Sequence, residues 1–353
     1  MICEDIKRKG IKMRFRLRLF IIFCTMMCGS SPLQAQQRGQ YLPGQYGLNA
    51  GIMPSPGFSY INTEVNYNIS ALNDSSGHAV ASANTNFNLW VVENVLYYVP
   101  NTKFLGGNLG FSIMVPTLAN ASLVLETPGI NGQTTWGLAD TWVQPFSIGW
   151  HLKRADIQVG DGLVTPTGRY SPGASNNIGS GYWGNDVFVG TTIYLTKNKG
   201  TSINYFGDWE VHGQREGTYG TYKTPGQAYS QEWGFGQVLP LSKDFSKLIQ
   251  LGVIGYDQWQ ITDNGGTFPV NTPGPTCNLN SQGVCILPAS LIPRYSVHAV
   301  GGQATFIMPK KDFALWFKYE HEYQAFNRAI GYTMVIGGIW TLRIPKPTAG
   351  SSH

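Results

Sequence analysis

Polar and charged side chains recur at every second residue along several stretches of this chain, and they are the first candidates for chemistry. Ten of them fall on what would be one face of extended segments: Glu64, Asn66, Asp140, Gln144, Asp208, Glu210, His212, Lys318, Glu320 and Glu322. Carboxylates, amides, a lysine and a histidine on a channel wall could select ions, or could pair across strands and brace the wall. The sequence is compatible with both roles, ion selection and bracing of the wall.

Catalytic constellations are the second kind of chemistry to consider. His78, His212, His298 and His321, combined with serine and aspartate residues, could form a hydrolase site of the kind carried by barrel enzymes that act on lipids. The sequence contains no GxSxG run, no metal-spaced pair of histidines and no phosphate loop. We therefore predict no catalytic residue, no metal ligand and no cofactor.

The elements that must position these residues are strands. Residues 136–170 read as a long hairpin of two extended segments, and along the first of them Ser147 falls on the face opposite Asp140 and Gln144. The same reading predicts about twelve strands, over 58–72, 84–99, 104–115, 137–149, 155–165, 182–196, 201–213, 229–241, 247–261, 293–308, 313–323 and 330–344. The predicted connections alternate strictly between short and long. Short turns at one end and long loops at the other are typical of outer-membrane barrels.

The two faces of each strand predict which residues meet lipid. In strands one, seven and eleven, apolar residues alternate with polar ones, and in a membrane the apolar set faces outward. Glu93 does not fit, because it shares a face with Val91 and Val95. Either a bulge or a register change lies near that position, or the strand over 84–99 is wrongly drawn. In water the same alternation would mean only core and surface.

Composition and charge narrow the class of protein. Charged residues make up 13% of the 353-residue chain, whereas soluble domains are about 25% charged. Residues 1–35 read as a signal peptide, with translation starting at Met1 or Met13. Without them the chain holds 18 lysines plus arginines and 18 aspartates plus glutamates, so nucleic-acid binding loses its main support. No later stretch is apolar for long enough to form a transmembrane helix, so a membrane-embedded chain must be a closed barrel.

Two cysteines follow the signal peptide, Cys277 and Cys285, and both lie in the longest predicted loop. An even number of closely spaced cysteines in an exported chain predicts a disulfide between them. A metal site is the alternative, but no histidine or further cysteine lies near them in the sequence.

Several runs of this sequence resemble one family. Gly137-Leu138-Ala139-Asp140, the strand ending Thr165-Pro166-Thr167-Gly168, Tyr41-Leu42-Pro43-Gly44 and Glu232-Trp233-Gly234-Phe235-Gly236 are similar to runs of the Gram-negative family associated with the meta pathway of phenol degradation. The resemblance covers nearly the whole mature chain. It implies an outer-membrane barrel with a transporter-like role for small apolar or aromatic compounds.

These observations lead to one organisation. Residues 1–35 are the signal peptide, 36–57 an N-terminal periplasmic segment that folds at or into the mouth, 58–344 the barrel, and 345–353 a tail. The fold is all-β, a transmembrane antiparallel up-and-down β-barrel of about twelve strands in the outer membrane of a Gram-negative bacterium. The expected partners are outer-membrane lipids and a small-molecule substrate, with no nucleic acid and an undetermined oligomeric state. A lipid-acting barrel enzyme, a structural barrel with a closed lumen and a soluble secreted β protein are the alternatives.

Overall fold

The structure is a computed structural model, and it describes residues 40–82, 88–124, 131–134, 137–172, 177–217, 223–270, 278–279 and 284–343. The predicted signal peptide at 1–35 and the predicted tail at 345–353 lie outside the described residues. Within the described ranges, no helix is long and apolar enough to cross a membrane.

Twelve long strands form one antiparallel sheet that closes on itself. They are β1 (Gly57–Asn73), β2 (Asn88–Val99), β3 (Gly107–Val124), β4 (Thr141–His151), β5 (Ala155–Thr165), β6 (Gly184–Tyr194), β7 (Thr201–His212), β8 (Ala228–Pro240), β9 (Leu248–Gln260), β10 (Ser296–Met308), β11 (Phe313–Phe326) and β12 (Ala329–Arg343). Each strand pairs with the next, and β12 pairs with β1. Closure leaves no open sheet edge, which is the condition for strands to lie in lipid. The predicted twelve-stranded up-and-down barrel is confirmed.

Short connections lie at one end of the barrel, which we call the turn end. They follow β2, β4, β6, β8 and β10, and four of them bend at a residue with positive φ: Leu105 at 50°, Lys199 at 57°, Phe245 at 54° and Asp312 at 46°. Lys310 Nζ and Asp244 Oδ2 join two of these turns across 2.9 Å. The hydrogen bond from Lys310 holds the pKa of Asp244 well below its ordinary value.

The opposite end, the loop end, carries the long connections after β1, β3, β5, β7 and β9, as the spacing predicted. The longest of them folds a small sheet of Thr267–Val270, Asn278–Leu279 and Cys285–Pro288, where no strand was predicted. β3 runs to Val124 instead of ending at 115, because residues 121–124 pair with Asn131–Thr134. Cys277 lies outside the described residues, so its disulfide with Cys285 stays a prediction.

The side chains of β7 and β11 point as the sequence predicted. On β7 the polar residues Asn204, Asp208 and Glu210 are buried inside the barrel, whereas Ile203 and Trp209 are exposed on its outer surface. Apolar side chains are favoured on the outer surface of a barrel where it contacts the hydrocarbon of a membrane. The buried core of this protein therefore lies within the barrel and is largely polar.

β1 and β2 reverse this pattern, and the prediction for Glu64 and Asn66 is wrong. Val65 and Tyr67 are 1% and 2% exposed and face the lumen, so Glu64 and Asn66 between them project from the outer surface. Glu93 is also inside, where it is 6% exposed. The register of β2 to β1 is regular around it, and the register to β3 shifts between Trp90 and Val91. Alternation shows that a strand has two faces, but it does not show which face meets lipid.

β4 contains the irregularity that the sequence reading missed. Its register to β5 shifts between Val143 and Phe146, at the position of Pro145. The shift turns Gln144 and Ser147 to the same side, and both are buried in the lumen. The prediction that placed Ser147 opposite Gln144 is therefore wrong, because it assumed an unbroken period of two.

Candidate functional site

The N-terminal segment, residues 40–56, runs through the lumen from one end of the barrel to the other. At the loop end, Gln40 Nε2 donates to Ser180 Oγ at 2.9 Å. Farther along, Leu48 N donates to Gln303 Oε1 at 3.0 Å, and at the turn end Met53 packs against Tyr97 and Val99. The sequence predicted a segment at or into the mouth. The structure extends it along the full length of the lumen.

A single carboxylate holds the bend of this segment. Glu232 Oε1 accepts from the backbone N–H groups of Gly44 at 2.8 Å and Gln45 at 2.9 Å. Glu232 Oε2 accepts from those of Tyr46 and Gly47, both at 2.9 Å. Consecutive backbone N–H groups that converge in this way form a nest, a concavity that binds anions. Gly44 and Gly47 have φ of 97° and 54°, a region that favours glycine.

The carbonyl side of the same bend is held by a cation. Lys318 Nζ donates to Gly44 O at 2.8 Å and to Gln45 O at 2.5 Å, and this lysine is 1% exposed. The Tyr41 hydroxyl also donates to Glu232 Oε1. The segment is thus fixed by charged groups of opposite sign on β8 and β11. Charge-assisted hydrogen bonds of this kind are roughly twice as strong as neutral ones.

Glu322 braces the wall instead of facing open space. Its Oε2 accepts from the Tyr67 hydroxyl at 2.8 Å and from Gly331 N at 2.7 Å, and its Oε1 accepts from the Tyr256 hydroxyl at 2.9 Å. Arg328 Nη2 lies 3.6 Å from the same carboxylate. These contacts tie β1, β9, β11 and β12 together inside the barrel. Two roles are possible for the charged wall residues, ion selection and pairing across strands. Glu322 has the second role, because its contacts brace the wall.

A second group of acidic residues lies on β6 and β7. Asp186 is directly opposite Glu210, and Phe188 is directly opposite Asp208, with all four side chains buried. Trp142 Nε1 donates to Asp186 Oδ2 at 2.9 Å, and Tyr41 N donates to Glu210 Oε2 at 2.9 Å. These acids therefore border the N-terminal segment on the side away from Lys318.

Asp140 anchors the connection between β5 and β6 over the loop end of the lumen. Its Oδ1 accepts from Gly168 N at 3.0 Å, and its Oδ2 accepts from Ser180 N at 2.7 Å. Since Ser180 also bonds Gln40, the loop and the start of the N-terminal segment are joined. Asp140 therefore orders a loop over the lumen entrance.

A cavity of about 740 Å³ remains between the N-terminal segment and the barrel wall. Its lining is mostly apolar and comes largely from β1, β2, β3 and β11, including Ile61, Val91, Val95, Met114 and Trp316. It extends from Ile178 and Ser180 at the loop end to Ile307 and Ala314 at the turn end. This volume falls within the range of about 300 to 1,000 Å³ that is usual for small-molecule sites.

Of the ten predicted wall residues, eight lie inside the barrel or at its loop-end opening: Asp140, Gln144, Asp208, Glu210, His212, Lys318, Glu320 and Glu322. Glu320 is buried near Gly44. The prediction missed Glu232, although Glu232, Gly234 and Gly236 alternate with the exposed aromatic residues Trp233 and Phe235 on β8. It also missed Tyr41 and its neighbours, because no strand period marks an irregular segment. Two of the runs that carried the family resemblance, at Tyr41–Gly44 and at Glu232, are in direct contact here.

The histidines do not form a hydrolytic site with serine in the part of the chain that the structure describes. His212 Nδ1 lies 2.9 Å from Gly226 O and its Nε2 lies 3.4 Å from Glu210 Oε2. His298 Nδ1 lies 2.6 Å from Asp257 Oδ1, on the outer surface near Trp259. No hydrogen bond joins a serine hydroxyl to a histidine ring within these ranges.

Comparison with known proteins agrees with this architecture. The chain is similar to the COG4313 outer membrane channel from Pseudomonas putida F1, with 13% identity, a TM-score of 0.63, and coverage of 86% of this chain and 100% of that one. It is also similar to the beta domain of the Bordetella autotransporter BrkA, with 10% identity, a TM-score of 0.46, and coverage of 82% and 100%. No match was found among curated proteins. Residues 69–336 match the family whose description names the MetA-pathway of phenol degradation. The chain is therefore an outer-membrane β-barrel that belongs to this family.

Proposed function

We propose that this protein is a channel that carries small apolar or aromatic molecules across the outer membrane. The observation that carries the proposal is the apolar cavity, because it extends between the two ends of the barrel beside the N-terminal segment. Val91 and Val95 line it from a strand face that the sequence alone would assign to lipid. An apolar lining inside a barrel favours apolar solutes, because they lose little free energy of hydration when they leave water.

The N-terminal segment narrows the route through the lumen. The segment fills the lumen beside β6 to β9, where Ala50 packs against Phe188 and Phe206. The cavity is the space that remains, mostly beside β1 to β3, β10 and β11, and it also reaches β6 and β7. Twelve strands enclose more space than side chains alone fill, and less than the wide aqueous channel of large porins. We therefore expect slow, selective passage and little conduction of hydrated ions.

The test is to fill the cavity without changing the outer surface. Val91→Phe and Val95→Phe each add bulk inside the lumen, and Val92→Phe adds the same bulk on the opposite face of the same strand. Cells that express each variant are given radiolabelled toluene, and its initial rate of accumulation is measured. We expect the inner variants to slow accumulation by about tenfold, in line with the cost of misfit in an apolar pocket. Val92→Phe should match the unmodified protein.

Three results would count against the proposal. Equal accumulation by cells with and without the barrel would favour a structural barrel with a closed lumen. Equal effects of Val91→Phe and Val92→Phe would show that the cavity is not the route. Release of fatty acids from phospholipid vesicles by the purified protein, lost on His298→Ala, would favour a lipid-acting enzyme. Heat-modifiable migration on a gel shows that each variant is folded.

A further inference from the structure

Acidic and aromatic side chains lie together at the part of the cavity wall formed by β6 and β7. Asp186 and Asp208 border the cavity together with Trp142, Phe188 and Phe206. Tyr46 stacks on Phe206 with ring centroids 3.8 Å apart, and Phe188 lies 5.7 Å from Phe206. Two carboxyl groups and several aromatic rings therefore meet at one place on β6 and β7.

Both carboxyl groups carry an oxygen with no hydrogen-bond partner. Asp186 is 3% exposed and Asp208 is 2% exposed, yet Asp186 Oδ1 and Asp208 Oδ1 accept no hydrogen bond within the described residues. A buried acceptor that makes no hydrogen bond is unfavourable, because it has lost its contacts with water. These oxygens are themselves enclosed, but their residues border the cavity, so rotation of each carboxyl group brings an acceptor to a molecule inside it. The two oxygens thus indicate a ligand that donates hydrogen bonds.

The charge at this place is not balanced by the protein. Asp186, Asp208 and Glu210 lie on adjacent strands, with facing and diagonal separations of about 5 to 8 Å for such positions. No salt bridge reaches Asp186 or Asp208 in the described ranges, and Glu210 has only His212, at 3.4 Å. Lys318 is engaged by the carbonyls of Gly44 and Gln45. Without a ligand, protons can neutralise these neighbouring acids, and a positively charged hydrogen-bond donor is the ligand that can replace those protons.

We infer that the cavity contains a subsite for an organic ammonium group, with Asp186 and Asp208 as its acceptors and Trp142, Phe188 and Phe206 as its aromatic wall. Aromatic faces attract ammonium ions through the ring quadrupole, and carboxylates bind them by charge-assisted hydrogen bonds. The apolar remainder of the cavity takes the hydrocarbon part of the same molecule. The inference rests on the proposed function and adds a charge preference to it.

A metal ion is a poorer occupant of this place. No group of three or more histidine, cysteine, aspartate or glutamate side chains in the described residues is arranged to hold one. Calcium and magnesium need six or more oxygen ligands or waters at short range, whereas the wall here is largely aromatic. An ammonium ion attached to a ring or a short alkyl chain fits both parts of the wall.

The experiment compares two probes of nearly equal size, 2-phenylethylammonium chloride and 2-phenylethanol. Each is titrated calorimetrically into the purified full-length protein in a nonionic detergent. We expect the ammonium probe to bind about tenfold more tightly, the amount that one charge-assisted hydrogen bond supplies. Asp186→Asn and Asp208→Asn should remove this preference and leave the affinity for the alcohol unchanged. Asp161→Asn is the matched control, because Asp161 lies on the outer surface of β5, where it accepts a hydrogen bond from Asn185.

The comparison of the two probes in the unmodified protein requires no variant, so it holds even if a variant does not fold. Equal affinity for the ammonium and the alcohol would overturn the inference, as would a preference that survives both Asn variants. Toluene accumulation separates this failure from that of the proposed function. If toluene enters through the cavity and no charge preference exists, the channel remains and the ammonium subsite is refuted. If neither probe binds and toluene does not enter, both proposals fail.

Discussion

Gln45 donates from Nε2 to Glu93 Oε1 across 3.0 Å, so a carboxyl group that seemed misplaced on β2 is a lumen contact of the N-terminal segment. Val91 and Val95 on either side of Glu93 line the apolar cavity. The segment thus brings a polar partner to an otherwise apolar face. This contact explains how the apolar inner face of β2 accommodates a carboxyl group.

Removing the negative charge of Glu232 should loosen the N-terminal segment. Glu232→Gln keeps the shape and replaces a charged acceptor of four backbone N–H groups by a neutral amide. Hydrogen bonds to charged groups contribute about 1.5 to 3 kcal/mol each, so we expect a clear loss of order in the segment. Planar-bilayer recordings should show a larger conductance than the unmodified protein. Glu64→Gln is the control, because it makes the same change on the outer surface. An unchanged conductance in Glu232→Gln would show that this carboxylate does not hold the segment.

The Tyr97 hydroxyl connects β2 with β4 and β5 inside the barrel. It lies 2.7 Å from Ser147 Oγ and accepts from Gln158 Nε2 at 3.0 Å and Gln144 Nε2 at 3.3 Å. Tyr97→Phe removes it and leaves buried amides without this acceptor, which should cost about 1 to 3 kcal/mol. Urea unfolding in lipid vesicles measures the change. The neighbouring Tyr98→Phe, on the outer surface, should have a smaller effect, and equal losses would contradict the assignment of faces on β2.

The strands and their order could be predicted from the sequence because turn residues and alternation are local signals. Strand faces could not be predicted so well. Glu64 and Asn66 follow a clean period of two, but the inner face of β1 is the other one, where the Tyr67 hydroxyl donates to Glu322 of β11. Contacts inside the lumen join residues far apart in the chain, such as Tyr67 with Glu322 and Gly44 with Glu232. No local pattern contains that information.

Ser147 shows a second limit. The bulge at Pro145 brings Gln144 and Ser147 to one hydroxyl, so two residues three positions apart share a face. A proline within a strand is a recognised mark of such irregularity. Pro145 is visible in the sequence. The side of the strand on which Ser147 lies, however, depends on where the register shifts. The site residues at Asp208, Glu210 and Lys318 were found because β7 and β11 keep a regular period there.

The connection lengths predict which end of the barrel meets the cell exterior. An epitope inserted after Gly217, in a long connection at the loop end, should bind antibody on intact cells. The same epitope inserted after Asn198, in a turn between β6 and β7, should bind only after the cells are permeabilised. This follows from the arrangement of outer-membrane barrels, whose long loops are extracellular. Antibody binding to both insertions on intact cells would refute the topology.

The predicted disulfide between Cys277 and Cys285 should order its loop and leave the barrel unaffected. Only seven residues separate the cysteines, so the bond constrains a short ring, with a contribution of about 2 to 3 kcal/mol in the chain-entropy account. Thiol titration of the purified, unreduced and denatured protein should find no free thiol. Changing both cysteines to serine should speed proteolysis between 262 and 292 without lowering the unfolding temperature of the barrel. Two titratable thiols in the unreduced protein would refute the bond.

Glu64 is a carboxyl group on the outer surface of β1, and this position gives the last prediction. It borders a shallow groove of about 240 Å³ formed with Leu315, Ile336, Gly338 and Trp340. A charged group on the lipid face costs up to about 2 to 4 kcal/mol for lysine or arginine and less for an acidic residue. Glu64→Leu should therefore stabilise the barrel by about 1 to 2 kcal/mol against urea in lipid vesicles, and Glu64→Gln by a smaller amount. If Glu64→Leu instead lowers the stability, the carboxylate has a stabilising partner in the membrane, and the outer surface of β1 does not simply face lipid.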